Sequence, residues 1–182
     1  MQTLLVMTVI GQDRPGLVES VADLVASHGG NWLESRMSRL GGHFAGILRV
    51  EIPAEKEPAL VANLKDLSSR GLTVVVHSDQ PKAEPPPGRV RILEIVGQDR
   101  PGIVRQISHA LASYGVNVEE LQSECASAPM TGETLFKARA KLRVPDSADA
   151  EKIRQNLEKI ASDLIVDISF AEFEAEEPIL RI

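Results

Sequence analysis

The residues with the clearest chemical potential occur twice in the chain, as the sequence Gly-Gln-Asp-Arg-Pro-Gly. The first copy spans Gly11–Gly16 and the second spans Gly97–Gly102. Each copy follows an apolar stretch and precedes a helical pattern, so each lies where a strand joins a helix. Free backbone N–H groups at a helix start favour an anion such as a carboxylate, and the neighbouring aspartate could meet an ammonium group. The loop therefore suits the two charged ends of an α-amino acid.

The same loop also has a purely structural interpretation. Asp13 and Asp99 could cap the following helix by accepting backbone N–H groups, and Pro-Gly pairs are common in turns. Duplication of the whole loop favours a binding role, because each copy is followed at the same distance by an asparagine, Asn31 or Asn117. A duplicated fold also duplicates its structural loops, however, and both interpretations stay open at the level of sequence.

The other reactive residues form no recognisable catalytic or metal-binding set. The four histidines fall in different predicted elements, without a metal-ligand spacing such as H-E-x-x-H. The single cysteine, Cys125, has no basic neighbourhood to activate it, and we expect a buried or inert thiol. The sequence contains no G-x-S-x-G or G-x-G-x-x-G motif. We therefore predict a protein that is not an enzyme and that uses no metal or cofactor.

Charge and composition restrict the partners. The net charge is −6 at pH 7 and no basic run occurs, so direct contact with nucleic acid is not expected. The N-terminus lacks a signal peptide, and no apolar run reaches the roughly 20 residues that span a bilayer. We expect a cytoplasmic protein that binds neither nucleic acid nor membrane.

The two loops belong to a longer internal repeat. Residues 11–34 align without a gap with residues 97–120, and 12 of these 24 positions are identical. Farther along, Phe44 aligns with Phe136 after about six extra residues in the second copy, which fall most simply within Ala126–Thr134. This extent of identity indicates a duplicated domain.

A proline-rich segment separates the two copies. Its three consecutive prolines cannot donate to a sheet ladder, and they favour an extended spacer. We therefore predict a first domain over residues 1–79, a linker over 80–88 and a second domain over 89–171. The acidic end, residues 172–182, is predicted to be a solvated tail.

Each copy is predicted to fold as a βαββαβ unit. Apolar runs, helical spacing and glycine stops place the elements of the first copy at Thr3–Ile10, Leu17–His28, Asn31–Leu40, His43–Ile52, Leu60–Leu67 and Leu72–His77. The second copy gives Arg91–Val96, Ile103–Tyr114, Asn117–Cys125, Leu135–Val144, Ile153–Ile160 and Leu164–Phe170. Right-handed crossovers put both helices on one face of an antiparallel sheet, which is a ferredoxin-like α+β fold.

Two further expectations follow from this fold. An RNA-recognition motif has the same element order but needs stacking aromatics, whereas aromatic residues make up only 3% of this chain. Domains of this size bury a limited share of their surface and leave sheet edges exposed. Packing of two modules, or of two chains, would cover these surfaces, and a homo-oligomer is expected.

The βαββαβ order, combined with the Gly-x-Asp-Arg-Pro-Gly loop and the downstream asparagine, resembles the ACT domain, a regulatory module that binds amino acids. The resemblance covers both halves of the chain. The tandem layout without an attached enzyme resembles the glycine cleavage system transcriptional repressor family. That resemblance implies a regulator that binds a small amino acid such as glycine and represses transcription by contacting a LysR-type transcription activator, without touching DNA.

The resemblance also implies where the ligand binds. In ACT domains that bind amino acids, the ligand lies at an interface between modules, against the first strand–helix loop and the start of the next strand. Carried over to this sequence, the implied binding residues are Asp13, Arg14, Pro15, Gly16, Leu17 and Asn31 in the first copy, and Asp99, Arg100, Pro101, Gly102, Ile103 and Asn117 in the second. The second copy departs from the first by its longer hairpin and by Val118 in place of Trp32, which implies two non-equivalent sites.

Different classes of function remain open at this point. The first is an amino-acid sensor whose ligand shifts a conformational or oligomeric equilibrium and thereby a partner's activity. The second is a protein-interaction module that needs no ligand. The third is a regulatory subunit of an amino-acid metabolic enzyme.

Overall fold

The computed structural model describes residues 1–79, 87–127 and 132–173. These residues form two compact units, one on each side of the proline-rich segment. The predicted linker and the predicted acidic tail fall almost entirely outside the described residues. Among the described residues, no helix is long and apolar enough to cross a membrane.

The first unit has the predicted βαββαβ order. Its elements are β1 (Gln2–Gln12), α1 (Leu17–Ser27), β2 (Asn31–Leu40), β3 (His43–Pro53), α2 (Glu57–Asp66) and β4 (Leu72–Ser78), with short 3-10 turns on either side of α2. The strands form one antiparallel sheet in the order β2-β3-β1-β4.

The second unit repeats this architecture. Its elements are β5 (Gly88–Gln98), α3 (Ile103–Ser113), β6 (Asn117–Ser127), β7 (Thr134–Pro145), α4 (Ala150–Leu164) and β8 (Val166–Glu172). The sheet order is β6-β7-β5-β8, again antiparallel throughout. The tandem ferredoxin-like α+β fold predicted from the sequence is therefore confirmed. The extra residues of the second copy fall between β6 and β7, where the first unit has only Gly41 and Gly42.

Each unit has its own aliphatic core between the sheet and its two helices. In the first unit, Leu5 and Met7 of β1 pack with Leu60 and Leu64 of α2, and all four side chains are fully buried. Among the described residues, no polar or charged residue is buried in either core. Because the helices of each unit take part in its core, the other face of each sheet is left open.

The two open sheet faces differ in character. The first exposes aliphatic side chains at Ile10, Ile47 and Val75, whereas β7 of the second sheet presents Arg139 at the position of Ile47 and Lys137 at the position of Ala45. Val96 keeps an exposed aliphatic side chain at the position of Ile10. The central strands β1, β3, β5 and β7 are described along their whole length, and none carries an aromatic side chain on this face. The stacking platform that an RNA-recognition motif requires is therefore missing from these strands.

The last helix and strand differ from the prediction at their boundaries. α4 begins at Ala150 and not at Ile153, because the Asp149 side chain accepts hydrogen bonds from the backbone N–H groups of the first turn. The predicted strand start at Leu164 is wrong, because Leu164 is buried on the inner face of α4 and β8 begins at Val166. Ile165 makes the junction in the left-handed conformation, with φ of 57°.

Candidate functional site

The repeated loops form the junctions β1–α1 and β5–α3, and both have the same backbone shape. Gly16 and Gly102 take the left-handed conformation, with φ of 87° and 98°. A side chain at either position would be strained in this conformation, and a glycine is therefore needed there. The backbone N–H of Asp13 donates to the carbonyl of Gly42 at 2.9 Å, which ties the loop to the β2–β3 hairpin.

The first glycine of each loop is needed for a different reason, because the backbone beside it approaches too closely for a side chain. A Cβ atom on Gly11 would lie 2.5 Å from the carbonyl oxygen of Gly71, just before β4. A Cβ atom on Gly97 would lie 2.6 Å from the Cα of Val166, at the start of β8. Contacts this short are not tolerated, so each loop is held close to the edge strand of its own unit.

Within the described part of the chain, no side chain caps α1 or α3 at these loops. The N-cap residues of α1 and α3 are Gly16 and Gly102, and among the described residues no side chain accepts a hydrogen bond from the first-turn N–H groups of either helix. The structural interpretation in which Asp13 and Asp99 act as helix caps is therefore wrong. The first-turn N–H groups have no intrahelical partner, and they retain the capacity to bind an anion.

In the first loop, both charged side chains already have partners within the unit. The Asp13 carboxylate accepts a hydrogen bond from Nε of Arg39, near the end of β2, at 2.5 Å. The Arg14 guanidinium donates to the backbone carbonyl of Arg70 at 2.7 Å and thereby ties the loop to the segment that precedes β4. In the first loop, an ion pair therefore neutralises the carboxylate, and a backbone carbonyl holds the arginine.

The second loop has the same fold but a different electrostatic environment. Cys125 of β6 holds the place of Arg39, and its thiol lies near enough to the Asp99 carboxylate for that charge to act on it. Partial desolvation, followed by the interaction with Asp99, raises the pKa of the Cys125 thiol above its ordinary value. Arg100 turns away and donates to the side-chain oxygen of Gln98 at 3.0 Å.

The structure corrects one expectation about Cys125 and reveals a residue that the sequence interpretation missed. Cys125 is exposed, not buried, although its raised pKa keeps the thiol protonated at neutral pH. Arg39 was missed because it lies beyond the part of the repeat with high identity. Extending the same ungapped alignment would have placed Arg39 opposite Cys125 and indicated the change of charge.

The remaining predicted loop residues differ in what they present to solvent. Leu17 and Ile103 are 4% and 2% exposed, because they begin the apolar faces of α1 and α3. Only their backbone N–H groups are therefore available to a ligand. Pro15 and Pro101 are exposed.

The two predicted asparagines lie far from the loops of their own units. Asn31 begins β2 and is level with Leu4 across β3, whereas the loop begins at Gly11 at the other end of β1. At the rise of a β-strand, this is a separation of about 23 Å. The second unit repeats the arrangement for Asn117. A ligand that contacts both a loop and an asparagine must therefore take them from two different modules.

Two clefts on the sheet faces lie away from the repeated loops. A cleft of about 300 Å³ beside Ile47 and Arg49, and one of about 470 Å³ beside Glu94 and Arg139, lie on the open sheet faces. Neither is lined by a residue of the repeated loops. Trp32 packs partly buried against the first core. Among the described residues, no three His, Cys, Asp or Glu side chains are grouped as a metal site requires.

Comparison with known proteins agrees with this architecture. Models of the ACT domain match residues 3–77 and residues 91–162. The glycine cleavage system transcriptional repressor of Escherichia coli (strain K12) is 26% identical over 165 residues, which cover 90% of this chain and 86% of that protein. The repressor of the same name from Shigella flexneri matches to the same extent.

A solved structure shows the same fold over nearly the whole chain. The crystal structure of an unknown protein from Galdieria sulphuraria superposes with a TM-score of 0.84 at 27% sequence identity. The match covers 96% of this chain and 100% of that one. The similarity therefore extends over both units.

Proposed function

We propose that this chain, which belongs to the ACT domain family and carries two such domains in tandem, is a non-catalytic regulatory protein that binds a small amino acid such as glycine. The observation that carries the proposal is the similarity to the glycine cleavage system transcriptional repressors, which covers 90% of the chain and therefore both domains. On this proposal the regulated process is transcription that responds to glycine.

The loop geometry supports a zwitterionic ligand. The uncapped starts of α1 and α3 offer backbone N–H groups to a carboxylate. Asp99 lies beside the start of α3 and offers a carboxylate to an ammonium group, whereas Asp13, beside the start of α1, is paired with Arg39 of its own unit. Asn31 or Asn117 would reach the ligand from a second module, and binding would thereby couple two modules. Such coupling is what a sensor needs, since a ligand shifts an equilibrium only by binding one state better than the other.

The regulatory output is proposed to pass through protein contact. A net charge of −6 disfavours a direct approach to DNA phosphates. The partner would be a transcription activator of the LysR type in the cytoplasm, and the chain would act as a homo-oligomer. The ligand would strengthen or weaken the contact with this activator.

Transcript measurement in the native host tests this proposal. The levels of the transcripts for glycine breakdown should depend on added glycine in the wild-type strain. Deletion of the gene should abolish this dependence. Complementation with the wild-type chain should restore that dependence, because the regulator is then present again. An unchanged glycine response after deletion would contradict the proposed function.

One observation favours a second candidate, a protein-interaction module that needs no ligand. The open face of the first sheet exposes Ile10, Ile47 and Val75 at 52%, 49% and 46% of their surface. Clustered exposed aliphatic groups commonly mark an interaction surface. The deletion strain distinguishes the two candidates. Loss of a module that needs no ligand would change transcript levels equally with and without glycine.

A further inference from the structure

The two loops differ most in the residue of the neighbouring strand that faces the loop aspartate. Arg39 and Cys125 hold equivalent places in β2 and β6, opposite Phe44 and Phe136 respectively. The result is a cation 2.5 Å from the carboxylate of Asp13 in one unit and an uncharged thiol in the other.

The loop arginines do not cancel this difference. Arg14 is turned toward the carbonyl of Arg70, and Arg100 is turned toward Gln98. Within the ranges that the structure describes, no ion pair joins Asp99 to a lysine or arginine. The strand residue therefore sets the local charge of each loop.

We propose that this strand position decides which loop accepts a positively charged ligand group: Asp99 takes a primary ammonium group, whereas Arg39 closes the first loop to it. The ligand class is a small primary ammonium compound, which includes the α-amino acids. This inference deepens the proposed function and rests on it for an amino acid as the natural ligand. Arg39 and Cys125 are in this sense specificity-determining residues.

Electrostatic repulsion gives the expected size of the effect. An ammonium group at Asp13 would lie close to the Arg39 guanidinium, and it would have to displace that group or share the carboxylate with it. Two unit charges about 5 Å apart repel each other enough to weaken binding about fourfold where bulk water screens them, and roughly a hundredfold or more at the effective dielectric typical of a protein surface. Asp99 imposes no such competition, because the thiol beside it is neutral.

Nuclear magnetic resonance of the full chain tests this assignment with ethylammonium chloride as the probe and sodium chloride as the ionic-strength control. The backbone amides of residues 97–102 should shift at a probe concentration at least about fourfold lower than those of residues 11–16. Asp99→Asn should abolish the response of the second loop, whereas Asp13→Asn should leave that response unchanged.

Exchanging the two strand residues gives the matched variants. Arg39→Cys should bring the response of the first loop to the level of the second, and Cys125→Arg should suppress the response of the second. Both positions are exposed on edge strands, so the fold should tolerate the changes, and circular dichroism checks that it does. The inference is overturned if both loops respond equally, if neither responds, or if the exchange leaves the order unchanged.

The probe also separates this inference from the proposed function. Ethylammonium carries the ammonium group without a carboxylate, and its binding does not depend on whether an amino acid is the natural ligand. A loop-selective response to the probe, together with no binding of any amino acid, would contradict the proposed function and leave the inference standing.

Discussion

At the scale of single residues, the two loops show that identical motifs do not make identical sites. Asp13 and Asp99 sit on the same backbone, each followed by Arg-Pro-Gly, yet one faces a guanidinium and the other a thiol. The neighbouring strand, and not the loop, supplies this difference. The repeat therefore predicts where the two sites are but not what each one binds.

Alkylation of the single cysteine checks the contact between Asp99 and Cys125. Partial desolvation and the Asp99 carboxylate raise the pKa of this thiol, so little thiolate is present at neutral pH and reaction with iodoacetamide should be slow. Asp99→Asn removes the negative charge and should lower the pKa, so alkylation near pH 8 should become faster. Asp13→Asn is the matched control and should leave the rate unchanged. A pH–rate profile identical in all three proteins would contradict the contact.

At the scale of elements, the start of α4 depends on one polar side chain. Asp149 accepts hydrogen bonds from the backbone N–H groups of Glu151 and Lys152, at 3.0 and 3.3 Å. Replacing such a cap with alanine typically costs about 0.5–2 kcal/mol of stability. Asp149→Ala should therefore lower the free energy of unfolding by about 1 kcal/mol in urea titrations.

The control for this variant is Asp163→Ala, an exposed change near the other end of the same helix. It should alter stability by less than about 0.5 kcal/mol, because exposed positions without a special role tolerate substitution. Equal effects of the two variants would mean that the cap does not stabilise α4.

Most of the elements could be predicted from the sequence, and the exceptions have physical causes. Alternation and helical spacing identify β2, β3 and α1. A glycine beside the start or the end of each of these elements marks its boundary. The boundary at Leu164 is ambiguous, because a buried leucine suits a helix end and a strand start equally well. The position of Asn31 relative to Gly11 depends on strand direction and register, which the local pattern does not contain.

At the scale of the whole molecule, the fold separates the parts of the proposed site. Each unit places its loop at one end of its sheet and its asparagine about 23 Å away at the other. A ligand that uses both groups must therefore join two modules. Binding would then be sensitive to how modules associate, and this provides a physical basis for regulation without catalysis.

Thermal unfolding of the full chain against each of the twenty amino acids tests the central claim of ligand binding most directly. A ligand present at about 100 times its dissociation constant stabilises the folded state by about 2.7 kcal/mol. For a protein of this size, that corresponds to a rise of about 5–10 °C in Tm. We predict such a rise for glycine or one or two other small amino acids, and its loss in Asp99→Asn. No rise with any amino acid at millimolar concentration would contradict the account of this chain as an amino-acid sensor.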